Sequence, residues 1–253
     1  LFKKIETAVW IGAIQSCFTD FPYLNEKWKQ NCEEERLLGV SLTGIMDNNT
    51  LLSEDALRAM KRKAVKTAKH AAEKLNINVP AAITCVKPSG TVSQLVNSAS
   101  GIHTRFAKHY KRRYRIASTD PLFKMLWDQG LDMSPENGQR QSDWKKAVKG
   151  DVAACSIYEE GKDWDADKVM TWVATFPVES PEESVLRDDR TAIDQLEQYK
   201  KLQKNWCEHN ASCTVYVKDD EWFEVGNWVY KNWSLINGVS FLPYDGGKYE
   251  QAP

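Results

Sequence analysis

Between Ser53 and Leu75 apolar residues recur at steps of three and four, at Leu57, Met60, Ala64, Ala68, Ala71 and Leu75, with lysines and arginines on the opposite side. That spacing predicts an amphipathic helix. Asn76 and Pro80 end it, and AAITCVK (81–87) is too short for a second helix and runs into a turn at Pro88, so it reads as a buried strand. The same order returns later. Ile193, Leu196, Tyr199, Leu202 and Trp206 form a helical stripe, SCTVYV (212–217) follows as a strand, and a Trp-rich helix over about 219–236 leads into GVSFLP (238–243). Two more runs, LLGVSLTGI (37–45) and WVATFPV (172–178), are almost continuously apolar. Such strands are covered on both faces, as in a parallel sheet or barrel. Alternating helices and strands define an α/β chain.

The remaining segments fit around this frame. Asp120-Pro121 and Gly130 bracket DPLFKMLWDQ as a short capped helix, and LFKKIETAVWIGAIQSC at the start reads as an amphipathic helix rather than a secretion signal, because Glu6 and Thr7 interrupt the basic and apolar parts. Residues 132–168 are polar and are expected to be a surface excursion, with a hairpin near Glu160-Gly161. With 253 residues and no repeat or linker, one α/β domain over 1–253 is the expectation. Lys plus Arg (34) nearly equals Asp plus Glu (35), so no global field draws the chain to nucleic acid or anionic lipid. No apolar stretch approaches a membrane span. Six cysteines without CxxC pairs, and four scattered histidines, point to reduced thiols in a cytoplasm and to no metal site.

Chemistry is most legible in KPSGTVSQLVNSASGIH (87–103). A strand, a Gly-containing turn with hydroxyls and a helix start together can hold phosphate, since unpaired N–H groups and the helix dipole face the ligand. The cradle would be Ser89, Gly90, Thr91, Val92 and Ser93; a simple helix cap at Ser89 or Thr91 explains the same four or five residues. Neither a Walker loop nor GxGxxG occurs. HTRFAKHYKRRYR (103–115) carries eight basic or potentially basic side chains and three aromatics. It reads as a nucleic-acid patch or, from the alternation of Tyr110, Arg112, Tyr114 and Ile116, as a strand with one basic face beside the phosphate cradle. Asn31-Cys32-Glu33-Glu34 and Asn205-Trp206-Cys207-Glu208 imitate a radical-cysteine string, but neighbours on a helix diverge by about a hundred degrees, so both read as helix surface.

Several of these strings, in this order, resemble one family. AAITCVKPSGTVSQL with SGIH after it, RRYRI, DPL, ATFPV, QLEQYKKLQKNWCEHNASCTVYV, then EW, NW, GVSFLPYDGG and YEQAP are similar to adenosylcobalamin-dependent (class II) ribonucleotide reductases, and most of all to the monomeric ribonucleoside-triphosphate type. The resemblance runs from about Ile11 to Pro253. It implies a ten-stranded α/β barrel, of which this chain supplies the later half, with the loop at Ser89, Gly90, Thr91, Val92 and Ser93 on the substrate's phosphates. It also implies adenosylcobalamin as cofactor, a ribonucleoside triphosphate as substrate, a deoxynucleotide effector and a thioredoxin-like reductant. The family's chemistry begins at the cobalt–carbon bond and passes through a cysteine thiyl radical that takes the ribose 3′ hydrogen.

The Asn-x-Cys-x-Glu loop that carries that chemistry is expected upstream of Leu1, and a redox cysteine pair beyond Pro253, so no catalytic Cys or Glu is assigned within this chain. The chain is expected to need the remaining part of the reductase. Where the subunit-dependent class has an adjacent Tyr pair, this sequence has Ser240-Phe241, which favours a radical made on a bound cofactor. Two other readings stay open from the residues alone: a nucleotide-phosphate-binding transferase using the cradle, and a noncatalytic nucleic-acid-binding module using 103–115.

Overall fold

The computed structural model describes residues 1–48 and 52–244. The elements run α1 (Phe2–Gln15), α2 (Glu26–Glu35), β1 (Val40–Ser41), α3 (Glu54–Leu75), β2 (Thr84–Cys85), α4 (Thr91–Leu95), β3 (His109–Ala117), α5 (Pro121–Asp128), β4 (Met133–Pro135), α6 (Gln141–Val148), β5 (Thr171–Glu179), α7 (Ala192–Asn205), β6 (Cys213–Val217), α8 (Trp222–Lys231) and β7 (Val239–Pro243). Two compact units divide the described chain: 1–108 with 180–244, and 109–179. No helix among the described residues is long and apolar enough to cross a membrane.

The first unit holds the helix–strand grammar read from the sequence. Ser53 Oγ accepts the Ala56 N–H to start α3, Glu54 and Asp55 sit in the first turn, and Asn76 closes the helix in the left-handed region at φ +53. The apolar stripe is buried, with Leu57, Met60, Ala64, Ala68 and Ala71 at 0–1% exposure. α7 begins with a capping box in which Thr191 and Asp194 exchange bonds. β1 pairs β2 and β6 pairs β7, both parallel, and a parallel bridge between Val86 and Ala211 links the two ladders. Trp206 is completely buried between them, its indole N–H donating to Cys85 O at 2.7 Å. A large side chain buried this fully contributes about 1.5–3 kcal/mol.

Three expectations need correcting. Of 37–45 only Val40–Ser41 joins a ladder; the chain then turns through Gly44 at φ +70 into a short 3-10 turn at Ile45–Asp47. The run at 172–178 is not in a parallel sheet. It lies in β5, the central strand of the second unit's antiparallel sheet, flanked by β3 and β4. Only Trp172, Val173 and Ala174 are buried there; from Thr175 onward the strand is partly open. β3 is the expected strand, with Lys111 and Arg115 exposed and Tyr110, Arg112, Tyr114 and Ile116 half-buried. The polar excursion at 132–168 is not merely surface. Trp144, Ala147 and Cys155 make a small core against Ile157, Tyr158 and Trp164, and Glu160-Gly161 is a turn without flanking strands.

Candidate phosphate loop and its supports

The loop after β2 is positioned by hydroxyl groups. Ser41 Oγ accepts the Lys87 N–H at 3.0 Å. Thr43 Oγ1 lies 2.7 Å from Ser89 Oγ, donates to Ala99 O at 2.9 Å and accepts the Gly101 N–H at 3.0 Å, so one side chain joins the start and the end of the loop. Gly101 is required here: at φ +54 a Cβ would sit 2.7 Å from Lys87 O. Lys87 Nζ donates to Asn210 Oδ1 and Ser212 Oγ, which ties the loop to the segment before β6.

Of the five residues expected to cradle phosphate, Gly90 and Val92 are exposed and Ser89 is half-buried, whereas Ser93 is fully buried, and part of the loop's hydrogen-bonding capacity is used within it. The Ser89 and Gly90 N–H groups both point at Ser100 Oγ, at 3.0 and 3.3 Å. Val92 N–H donates to Ser89 O at 3.0 Å, and buried Ser93 donates its hydroxyl to Gly90 O at 2.8 Å. Gly90 is exposed, has φ +47 and has nothing within 4 Å of the place a Cβ would take. The Thr91 side chain lies outside the described residues, so the hydroxyl expected from it is not placed. Val92 and Leu95, the apolar positions of α4, and Val96 just after it are 68–83% exposed.

Behind the loop stands an ion pair that spacing did not reveal. Arg105, its side chain 2% exposed, donates from Nε to Asp47 Oδ1 at 2.7 Å and from Nη2 to Asp47 Oδ2 at 3.1 Å. It also donates to Asn97 O at 2.6 Å, while Asp47 accepts the Ala99 N–H at 2.7 Å and the Ser184 hydroxyl at 3.1 Å. His103 is half-buried. Thr214 N–H donates to its Nε2 at 3.0 Å, which leaves Nδ1 to donate to Ser100 O, and burial holds the imidazole below its ordinary range. The eight basic groups of 103–115 therefore do not all face solvent: Arg105 is interior and His103 is half-buried with both ring nitrogens on backbone groups, which leaves the stretch on β3 as a basic face.

The two cysteine strings differ from one another. Asn31 to Glu34 lie on α2, open or half-buried as expected. Asn205 to Cys207 are buried at the end of α7, which corrects the reading of that string as helix surface. The Glu208 carboxylate there accepts the Ile83 N–H at 2.9 Å. Burial pushes the Cys207 thiol up to about 12 and that of Cys213 to about 12 also. Thiols held this far from ionisation are structural. All six cysteines are free.

No family model matches the chain. Its fold is that of a class II, B12-dependent ribonucleotide reductase of known crystal structure: the two align with a TM-score of 0.73 over 98% of this chain and 35% of the other, at 21% identity. Among curated proteins, the chain is similar to the adenosylcobalamin-dependent ribonucleoside-triphosphate reductase of Lactobacillus acidophilus, 28% identical over 192 residues that cover 76% of this chain and 22% of that one. The protein of the same name from Levilactobacillus brevis is 22% identical over 99% of this chain and 34% of its own length, and that of Lactobacillus leichmannii 25% identical over 92% and 32%. The chain thus spans about a third or less of the length of these relatives. The resemblance read from the motifs and the likeness found across the whole fold agree.

Adenosylcobalamin is the cofactor in those relatives' names. Two of the four histidines are tied to the backbone and two are exposed beside carboxylates. His103 and His209 spend ring nitrogens on backbone groups, His70 faces Glu73, and His109 faces Glu179. Among the described residues no cluster of His, Cys, Asp and Glu could hold a metal ion. The cobalt of that cofactor is held by its own corrin ring, and this chain is assigned no ligand to it.

Proposed function

We propose that this chain is the C-terminal portion of the catalytic barrel of an adenosylcobalamin-dependent ribonucleoside-triphosphate reductase, covering the later half of a ten-stranded barrel. The observation that carries this is the fold match over 98% of the chain. The parallel series β1, β2, β6 and β7 supports a stretch of barrel wall. On this reading the whole enzyme reduces a ribonucleoside triphosphate in the cytoplasm, takes a deoxynucleotide effector and is turned over by a thioredoxin-like reductant. The chain is one contiguous part of that barrel domain and contributes no catalytic cysteine.

Its own part is to bind the substrate's phosphates through Ser89, Gly90, Thr91, Val92 and Ser93. Binding exchanges one set of bonds for another: phosphate oxygens replace Ser100 Oγ as acceptors of the Ser89 and Gly90 N–H groups. The placeholder keeps these donors satisfied before substrate arrives, which limits the cost of an empty loop. Charge-assisted bonds to phosphate are the stronger ones, so the exchange favours the ligand. The open space over Gly90 permits the close approach.

The test is to express the coding sequence with its natural flanks and assay conversion of a ribonucleoside triphosphate to the deoxynucleotide with adenosylcobalamin and a dithiol. Cofactor-dependent turnover is expected. A folded product that lacks turnover with the cofactor, or flanks without an Asn-x-Cys-x-Glu string upstream, would overturn the assignment.

A further inference from the structure

We propose that the groove between α3 and α7 is an anion site that takes a small oligophosphate, separate from the loop at Ser89–Ser93. A concavity of about 450 Å³ is lined there by Arg58, Lys61, Arg62, Val65, Lys66, Lys69, Lys204 and Asn205. Six of these eight residues are cationic. On α3 they follow the steps 58, 61, 62, 65, 66, 69, which is one face of a helix, and Lys204 supplies the opposing wall from α7.

The two ends of the face differ. Near the helix start, Arg58 is neutralised by Glu54 at 3.0 Å and Asp55 at 2.8 Å, and it donates to Asn205 Oδ1 at 2.6 Å. Lys61 is fixed on Cys207 O at 3.1 Å. Further along, no carboxylate among the described residues pairs with Lys66, Lys69 or Lys204, all exposed. Like charges four residues apart on a helix repel, so an unpaired run of this kind destabilises α3 until an anion joins it. Arg58 and Lys61 are thus held by partners of their own, and Arg62, Lys66, Lys69 and Lys204 are the groups left to contact a ligand.

The occupant is argued from size and charge. The volume lies at the lower end of small-ligand sites, and the cations occupy one short open face of α3 with Lys204 alone facing them from α7. A compact polyanion with three or more charges satisfies that geometry; a nucleic-acid duplex would be met by a longer, shallower stripe. The nearly balanced charge of the whole chain, -1, also argues against a general nucleic-acid surface.

The probe is inorganic triphosphate, titrated calorimetrically into the full-length protein at two salt concentrations. Binding that weakens with added salt is expected, with orthophosphate at least tenfold weaker. The paired change Lys66→Glu with Lys69→Glu should weaken triphosphate at least tenfold, and Lys66→Gln with Lys69→Gln, which is milder to the helix, should weaken it in the same direction. Gly90→Val should leave the lysine-dependent part of this binding as it was. Three results would overturn the proposal: no salt-sensitive triphosphate binding, loss of binding in Gly90→Val but not in the lysine variants, or tighter binding of an oligoglutamate peptide or single-stranded DNA than of triphosphate. The second of these would leave the phosphate-loop reading standing, so the two assignments fail separately.

Discussion

Removing Asp47 tests whether the loop is held from behind. Its carboxylate receives four bonds, two from Arg105 at 2.7 and 3.1 Å, one from the Ala99 N–H at 2.7 Å and one from Ser184 Oγ at 3.1 Å. Arg105 is 2% exposed and Asp47 17%, so the guanidinium cannot recover its hydration if its partner leaves. Taking one member from a buried pair costs about 3–5 kcal/mol, chiefly because a charge stays buried alone. Asp47→Ala should therefore fall in that range. Asp47→Asn keeps one acceptor for Ala99 and should cost about 2–3 kcal/mol, between a lost hydrogen bond to a charged group and a full orphaned charge. Arg105→Met in the Asp47→Ala background should restore part of the loss, with a coupling of about 1–3 kcal/mol. Urea unfolding of the full-length protein measures the totals, and hydrogen exchange at the Ala99 amide reports the site itself. A cost below about 1 kcal/mol for Asp47→Ala, or additive single and double changes, would refute the view of this pair as a buried support.

Other outcomes follow from the same geometry. Gly101→Ala should disrupt the loop far more than Gly90→Ala, since a Cβ meets Lys87 O at 2.7 Å in one case and open space in the other; nucleotide affinity and proteolysis of the loop would show the order. Gly90→Val still carries the left-handed backbone penalty of about 1–2 kcal/mol and should weaken nucleotide binding. Because burial depresses the His103 pKa from 6.5, the unfolded chain takes up that proton first. The stability from neutral His103 is thus complete above about pH 6.5 and is lost as pH falls toward the folded pKa, and His103→Gln should flatten the urea midpoint across that window. In the native protein Cys17 and Cys32 should alkylate quickly and Cys85, Cys155, Cys207 and Cys213 slowly, as mapped by peptide mass spectrometry; fast labelling of Cys207 would contradict its burial.

Much of the first unit was legible because its signals are local and agree with each other. The α3 stripe, its Ser53 cap and its Asn76 stop all lie within one stretch of sequence, and the structure uses each of them. WVATFPV shows the limit. A run of apolar residues states that a strand is covered, not by what or in which direction its neighbours run, and the partners His109–Ala117 and Met133–Pro135 lie far from it in sequence. The polar stretch 132–168 hid a core for a similar reason. Trp144, Cys155 and Trp164 are spaced too irregularly to register as a period, and only folding brings them together.

The site was legible to a different depth. Local composition marked the Pro88-Ser89-Gly90 turn, because glycine and hydroxyls at a strand end have few structural uses. It could not show that Ser100 occupies two of the N–H groups, or that Thr43 fastens the loop from 46 residues upstream of Ser89, since hydrogen bonds of that range leave no trace in spacing. Charge runs misled in opposite ways. HTRFAKHYKRRYR looked like one basic surface, but Arg105 is bound by Asp47 from across the unit, so a count of cations overstates the field wherever a partner is remote in sequence. The α3 cations read as an ordinary solvated face, because their significance depends on Lys204 of α7 closing the groove from the other side. A charge has a functional meaning only relative to what the fold sets opposite it, and the information that chooses the opposite element is distributed over the core that packs α3 against α7.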